Sequence, residues 1–122
     1  ENVSAVRTII VAEDLESKFL LLKAIIGKTY TLLHAWNGKE AVEIYGQSQP
    51  DLILMDIKMP EMDGLEATRI IRKISQEIPI IALTAFAFDD DRVKALEAGC
   101  NDYLTKPLSA PLLKETIAKY LV

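Results

Sequence analysis

The chain has 122 residues, half of them hydrophobic, and only 5 glycines and 5 prolines, which suits one compact domain over residues 1–122. Acids outnumber bases 18 to 14, and the formal net charge of -4 gives no reason to expect nucleic-acid binding. No apolar run reaches the roughly 20 residues that span a bilayer, and residues 1–4 lack a leader-like pattern, so we expect a cytoplasmic domain without membrane contact. Cys100 is the only cysteine, which excludes an intrachain disulfide and favours a packing role for its side chain.

Short apolar runs alternate along the chain with longer segments of helical periodicity, the pattern of repeated βαβ units. The runs predict five strands, near residues 7–13, 30–35, 51–56, 79–84 and 102–105. Their apolar residues are continuous and do not alternate with polar ones, which indicates burial on both faces. We therefore predict an α/β fold built on a five-stranded parallel sheet.

Five helices are predicted to separate and follow these strands. The first carries apolar residues at Phe19, Leu20, Leu22, Ile25 and Ile26. The second begins at Asn37, three residues before Glu40, which is a capping-box pattern. The third begins in the same way at Asp63, three residues before Glu66. Its apolar residues recur at the spacing of one buried stripe, at Ala67, Ile70, Ile71 and Ile74.

The fourth and fifth helices complete the alternation. The fourth begins in the acidic run 89–91, keeps Val93 and Leu96 on one side as a thin apolar stripe, and ends at Gly99. The fifth starts after Ser109 and places four apolar residues on one side, at Leu113, Ile117, Tyr120 and Leu121.

Polar side chains follow four of the predicted strands at the same end of each strand. They are Glu13 and Asp14 after the first, Asp56 at the end of the third, Thr84 at the end of the fourth, and Lys106 after the fifth. Parallel strands bring their carboxyl ends to one edge, where open α/β folds form ligand sites, so we expect these side chains to converge. Singly, such residues are more often turn formers or helix caps. A cap does not explain their joint placement.

The chemistry of this set suggests a divalent cation and a phosphoryl group. Carboxylates of Asp14 and Asp56 suit Mg²⁺ or Mn²⁺, with Glu13 orienting bound water. A carboxylate can attack a phosphoryl donor when a metal reduces the repulsion between the two anions, and Asp56 is the candidate nucleophile. Lys106 and Thr84 suit the stabilisation of the transferred oxygens.

Four segments carry a family resemblance. Residues 11–14 (VAED), 54–64 (LMDIKMPEMDG), 83–85 (LTA) and 103–107 (YLTKP) resemble, in order and spacing, the receiver domains of two-component response regulators. The resemblance spans nearly the whole chain, and the phrase around Asp56 is similar to receivers of hybrid histidine kinases. It implies a flavodoxin-like doubly wound sheet of order 2-1-3-4-5 with helices on both faces. It also implies a signalling switch that takes a phosphoryl group from a histidine kinase or histidine phosphotransfer protein, does not turn over an external substrate, and can dimerise upon phosphorylation.

The resemblance also implies roles for individual residues. Asp56 corresponds to the phosphoryl acceptor, and Glu13 and Asp14 to the acidic pair that serves Mg²⁺. The backbone carbonyl of Lys58 corresponds to a third protein ligand of the metal. Thr84 is similar to the switch hydroxyl of the family.

Three more positions belong to the loop and strand that follow. Lys106 resembles the phosphate-binding lysine, Tyr103 the aromatic residue that changes rotamer on activation, and Pro107 the proline that usually follows a cis peptide bond. Lys58 and Phe86 stand where side chains border the site in the family. Neither side chain carries a carboxylate or amide to orient an attacking water, which predicts slow self-dephosphorylation. Leu15 departs from the polar residue that many relatives place after the acidic pair.

Three rival functions fit this sequence less well than a receiver domain does. A haloacid-dehalogenase-type phosphatase would need a second aspartate two residues after Asp56, where this chain has Lys58. A flavin-binding electron carrier would not place acids in the loop after the first strand, since they repel the flavin phosphate. A degenerate receiver that only docks partners would not need the complete set of site residues. His34 is interpreted as a packed strand residue away from the acidic edge.

Overall fold

Five strands and five helices alternate through the computed structural model, which describes residues 6–85 and 89–121. The strands are β1 (Thr8–Ala12), β2 (Thr31–Ala35), β3 (Leu52–Asp56), β4 (Ile80–Thr84) and β5 (Asp102–Thr105). The helices are α1 (Glu16–Ile26), α2 (Gly38–Ser48), α3 (Gly64–Ile74), α4 (Asp89–Ala98) and α5 (Ala110–Tyr120). Each strand lies within one residue of its predicted position, because continuous buried runs bounded by turn residues are a strong strand signal.

The sheet is entirely parallel and has the order β2-β1-β3-β4-β5, which confirms the predicted topology. Ala12, the last residue of β1, pairs with Ala35 on one side and Met55 on the other. Thr84 pairs with Thr105 at the far end of the sheet. The residues that follow these positions therefore emerge along one edge.

Both faces of the sheet are covered by helices, as the continuous apolar strands predict. Alternate residues of each strand point to opposite faces. One face packs against α1 and α5 through Leu22, Ile26, Leu113 and Ile117. The other packs against α2, α3 and α4 through Ala41, Ala67, Ile71 and Ala95.

The predicted helix starts at Asn37 and Asp63 are confirmed. The Asn37 side chain accepts a hydrogen bond from the Glu40 amide at 2.8 Å, and that of Asp63 accepts one from the Glu66 amide at 2.9 Å. Helix α1 differs, because its N-cap residue Leu15 has no side-chain cap in the described structure and is 48% exposed. An apolar residue thus occupies a position where a capping oxygen usually lies.

Two predicted apolar stripes are wrong in part. Ile74, the last residue of α3, is 63% exposed, whereas Ala67 and Ile71 of the same predicted stripe are buried. On α4, Val93 and Leu96 face solvent, and the buried residues are instead Ala95 and Ala98. Small residues let a helix backbone approach its neighbours closely, so the larger side chains of α4 project outward.

None of the helices in the described ranges is long and apolar enough to cross a membrane.

Gly99 follows α4 with a φ of 116°, a left-handed conformation that confirms its predicted role at the end of the helix.

Candidate functional site

Asp56 and Lys106 form the centre of the carboxyl edge of the sheet. Asp56 ends β3 and is 4% exposed. The Lys106 ammonium, in the loop after β5, donates to Asp56 Oδ2 at 3.1 Å and to Glu13 Oε1 at 3.2 Å. One cation therefore joins carboxylates that follow two different strands.

The other oxygen of each carboxylate is held by a nearby backbone amide. Lys58 N–H donates to Asp56 Oδ1 at 3.2 Å, and Leu15 N–H donates to Glu13 Oε2 at 3.3 Å. These bonds tie each side chain to the loop that follows its own strand. Both carboxylates are thus oriented by the protein's own backbone, which lowers the reorganisation needed for chemistry.

Glu13, Asp14 and Asp56 together have the donor set of a divalent cation site. Each offers one carboxylate oxygen, and the three oxygens lie within 4.8 Å of one another. The three carboxylates and the Lys106 ammonium sum to a formal charge of -3 + 1 = -2. Hard oxygen ligands with this excess of negative charge fit Mg²⁺, which binds through one or two carboxylates and keeps several waters.

The charge excess also shifts proton affinities. Burial, and then the charge of Asp56, raise the pKa of Glu13 to about 7, and Lys106 only partly opposes them. Burial acts to lower the pKa of Lys106, but the charges of Asp56 and Glu13 outweigh it, so the net direction is upward. The ammonium therefore stays charged, and the three carboxylates exceed it by two formal negative charges.

Thr84 ends β4 at the same edge and is 5% exposed. Its carbonyl accepts a hydrogen bond from the Lys106 backbone amide at 2.7 Å, which links the backbone of the threonine to that of the lysine. The peptide bond between Lys106 and Pro107 is cis, as the family resemblance predicts. The hydrogen bond between Lys106 and Thr84 anchors the loop that carries the ammonium to the end of β4.

Tyr103 lies one strand further out, on β5, and is partly buried against the helix α2–α4 face. The guanidinium carbon of Arg92, on α4, stands 5.7 Å from the centroid of its ring. A cation over an aromatic face at this distance is attracted to the ring. Tyr103 is therefore in contact with α4 as well as with the sheet.

The structure brings Glu13, Asp14, Asp56 and Lys106 together, with Thr84 on the same edge. The backbone amide of Lys58 donates a hydrogen bond to Asp56, and Lys58 itself is exposed. Phe86, the other residue predicted to border the site, lies outside the described residues.

His34 is placed differently from its prediction. It is a packed β2 residue, but it does not lie away from the acidic edge, because its Nε2 is 2.8 Å from the backbone oxygen of Glu13. No local sequence pattern predicts the register of β2 against β1. In that register His34 pairs with Val11, and its side chain reaches the backbone oxygen of Glu13, two residues further along the chain.

Comparison with known proteins identifies the fold family. Residues 9–118 match the model of the response regulator receiver domain. The chain is 38% identical over 118 residues to the polar-differentiation response regulator DivK of Brucella anthropi, covering 94% of this chain and 96% of DivK. The chain belongs to the response regulator receiver domain family.

Solved receivers share the whole architecture. The receiver domain of the sensor histidine kinase PA1611 from Pseudomonas aeruginosa, solved with magnesium in its active site cleft, is 35% identical with a TM-score of 0.89, over 96% of this chain and 98% of that one. A Saccharomyces cerevisiae co-crystal structure of Ypd1 with the receiver domain of Ssk1 gives 32% identity and a TM-score of 0.89, over 98% of this chain and 91% of that one.

Family membership settles the class of function. Receivers are phosphoacceptor switches of two-component signalling, so this chain is a signalling protein and not a classical enzyme. The phosphatase and flavoprotein rivals are thereby excluded. The acidic cluster at the sheet edge agrees with this class.

Proposed function

We propose that Asp56 accepts a phosphoryl group from a phosphohistidine, at a site where Glu13, Asp14 and Asp56 hold Mg²⁺ or Mn²⁺. The observation that carries this assignment is the Lys106 ammonium placed 3.1 Å from Asp56 Oδ2 beside three carboxylate oxygens that lie within 4.8 Å of one another. The backbone carbonyl of Lys58 is proposed as a further metal ligand.

The transfer is a displacement at phosphorus. A carboxylate oxygen of Asp56 attacks, an O–P bond forms, and the N–P bond of the donor phosphohistidine breaks with its electron pair returning to the imidazole. A bound Mg²⁺ supplies charge neutralisation between the carboxylates and the phosphoryl oxygens. The Lys106 ammonium offsets the remaining negative charge, and Thr84 is proposed to donate its hydroxyl proton to a phosphoryl oxygen.

The surface beside Asp56 suits a protein donor. Leu21 on α1 is 55% exposed and lines a groove of about 410 Å³ that also borders Glu13 and Lys106 and reaches Leu108. A donor histidine must approach closely, since Asp56 is only 4% exposed. We infer that a histidine kinase or histidine phosphotransfer protein packs on these leucines. The Ssk1 receiver in complex with the phosphotransfer protein Ypd1 supports this class of partner.

Phosphorylation is proposed to act through Thr84 and Tyr103. A phosphoryl group adds about -1.5 to -2 charges and three acceptor oxygens, which draw the Thr84 hydroxyl and the Lys106 ammonium toward Asp56. Movement of Thr84 leaves space at β4 that the neighbouring Tyr103 can fill. Helix α4 would respond, because Arg92 rests over the Tyr103 ring.

The remaining proposals concern the setting of the domain. Residues 1–122 are proposed to work as a single receiver in the cytoplasm, promoting their own phosphorylation and dephosphorylation, without binding nucleic acid or membrane. Phosphorylation is proposed to favour a dimer. Light scattering of the protein with and without beryllofluoride tests the dimer, and an unchanged mass would contradict it.

The decisive experiment follows phosphoryl transfer to Asp56. Wild type and Asp56→Asn are incubated with a small phosphodonor and Mg²⁺, and the modified residue is located by mass spectrometry. We expect labelling of Asp56 in wild type, none in the variant, and none when a chelator removes the metal. Full labelling of Asp56→Asn, or of wild type in excess chelator, would overturn the proposal.

A further inference from the structure

We propose that His34 is a positioning residue for the acidic pair, acting through the backbone of Glu13. The inference rests on the proposed metal role of Glu13 and Asp14. His34 Nε2 lies 2.8 Å from the Glu13 carbonyl oxygen. A carbonyl oxygen only accepts, so the geometry assigns the proton to Nε2, and the imidazole is the donor.

The imidazole is held in place by two other rings. It stacks on Phe19 of α1 with centroids 3.9 Å apart and planes within 1°, and it lies 4.1 Å from the ring of Trp36 at 35°. Phe19, His34 and Trp36 form what we call the aromatic stack. It joins α1, β2 and the turn after β2, and it leaves the imidazole little freedom to rotate away from Glu13.

The bond matters because of where β1 ends. The last strand residue is Ala12, and the Glu13 amide still donates to the Ala35 carbonyl at 2.9 Å. The Glu13 carbonyl lies beyond the strand, and His34 supplies its partner from β2. Both polar groups of the Glu13 backbone are thus bonded to residues of β2.

The Glu13 carbonyl belongs to the peptide unit that also contains the Asp14 nitrogen. Because a peptide unit is planar, fixing its oxygen fixes the direction in which the chain continues to the Asp14 Cα. The two carboxylates proposed to serve the metal start from the two ends of this unit. His34 therefore sets the relative placement of Glu13 and Asp14 without touching the ion, as outer-shell groups do in metal sites.

Two substitutions separate the hydrogen bond from the packing. His34→Phe keeps a planar ring in the aromatic stack but removes the donor. His34→Gln removes the ring but keeps an N–H group at comparable reach. Phe19→Leu is the matched control, since it keeps an apolar side chain against the imidazole and leaves the hydrogen-bond donor of His34 unchanged.

Mg²⁺ dissociation constants are measured by calorimetry at one pH on each variant, together with melting in the absence of metal. We expect His34→Phe to weaken Mg²⁺ binding about 10-fold, the lower end of outer-shell effects, while His34→Gln and Phe19→Leu stay near wild type. A merely structural histidine would lower the melting temperature and leave the dissociation constant of the folded protein unchanged. Unchanged Mg²⁺ affinity in His34→Phe would overturn the proposal, as would equal weakening in all three variants.

Two further measurements keep the outcome interpretable. Asp14→Asn tests the metal site itself, because unchanged Mg²⁺ affinity in that variant would refute the proposed site and not the role of His34 alone. If His34→Phe does not fold, NMR of the wild type decides. We expect a slowly exchanging His34 Hε2 signal correlated across the hydrogen bond with the Glu13 carbonyl carbon, and rapid exchange of that proton would overturn the assignment.

Discussion

Lys106 Nζ contacts Asp56 Oδ2 at 3.1 Å although 50 residues separate the two in the chain. The same ammonium lies 3.2 Å from Glu13 Oε1, so it is shared between two carboxylates of the site. A shared cation has two opposite effects. It offsets charge on a phosphoryl group at Asp56, and it repels a divalent cation held by the same carboxylates.

Removing this charge separates the two effects. In Lys106→Met we expect tighter Mg²⁺ binding, because a competing cation is gone, and phosphoryl transfer to Asp56 slower by about 10²-fold, because charge stabilisation is lost. Calorimetry gives the first quantity and phosphorylation kinetics at saturating Mg²⁺ the second. Lys119→Met, which removes an exposed lysine paired with Asp102 at 3.9 Å, is the control and should change neither. Weaker Mg²⁺ binding in Lys106→Met, or phosphoryl transfer as fast as in wild type, would contradict the shared-cation model.

The raised pKa of Glu13 predicts a pH dependence of folding without metal. Its folded pKa of about 7 lies above the ordinary value of 4.5, so the folded state binds this proton more tightly than the unfolded state. The stabilisation is fully present below 4.5 and is lost as pH rises through about 7. Glu13→Gln, which is neutral at every pH, should lack this loss.

The free energy of unfolding of both proteins is measured with urea, in chelator, at about pH 5 and about pH 8. The difference between the two proteins in how this free energy changes with pH isolates the contribution of Glu13. We expect Glu13→Gln to be the more stable protein at the higher pH and to bind Mg²⁺ more weakly. Parallel pH profiles for the two proteins would show that Glu13 does not titrate in this range.

Thr84→Ala tests the link between the acceptor and β5. Asp56 should still accept a phosphoryl group in this variant, because the acceptor, the metal ligands and Lys106 are unchanged. The NMR shifts that phosphorylation causes around Tyr103 and Arg92 should shrink, because the hydroxyl that moves toward the phosphoryl group is absent. Thr84→Ser, which keeps the hydroxyl, is the control. Wild-type shifts in Thr84→Ala would refute the coupling.

Gly64 packs directly against the backbone of Asp56, the proposed phosphoryl acceptor. A Cβ at this position would overlap the backbone carbonyl oxygen of Asp56, and the Gly64 amide donates to the Ile57 carbonyl at 3.0 Å. We expect Gly64→Ala to lower the free energy of unfolding by about 1–3 kcal/mol, the usual cost of overpacking. Gly46→Ala is the matched control, since a Cβ added there would have no atom within 4 Å apart from its chain neighbours and the nearby backbone of its own helix, and it should stabilise α2 by about 0.5–1 kcal/mol. Equal effects of the two in urea unfolding would contradict this account.

Lys58 and Phe86 are predicted to lengthen the life of the phosphorylated state. Neither side chain can orient water for in-line attack on the aspartyl phosphate, so Lys58→Asn, which introduces an amide, should speed its decay. Decay of phosphorylated wild type is compared with Lys58→Asn and Phe86→Ala at fixed Mg²⁺. Three indistinguishable rates would leave no role for either side chain in shielding.

The predicted secondary structure depended on signals that are local in sequence. Continuous apolar runs indicated the five strands, and an Asn or Asp three residues before a Glu indicated the starts of α2 and α3. Parallel strands share one edge, so the same runs also predicted that Glu13, Asp56 and Lys106 would meet. These features depend on chain direction and periodicity, which a sequence contains directly.

Other features depended on distances between segments far apart in the chain. The register of β2 against β1 places His34 at the Glu13 carbonyl, and no local pattern reports that register. The exposed side chains of Ile74 and Val93 followed from where α3 ends and how closely α4 packs, not from their hydrophobicity. The sequence alone therefore predicted the strands, the starts of α2 and α3, and the convergence of Glu13, Asp56 and Lys106 at one edge. Only the tertiary structure decided which carboxylates share the Lys106 charge and that His34 Nε2 lies 2.8 Å from the Glu13 carbonyl oxygen, because packing sets those distances to fractions of an ångström.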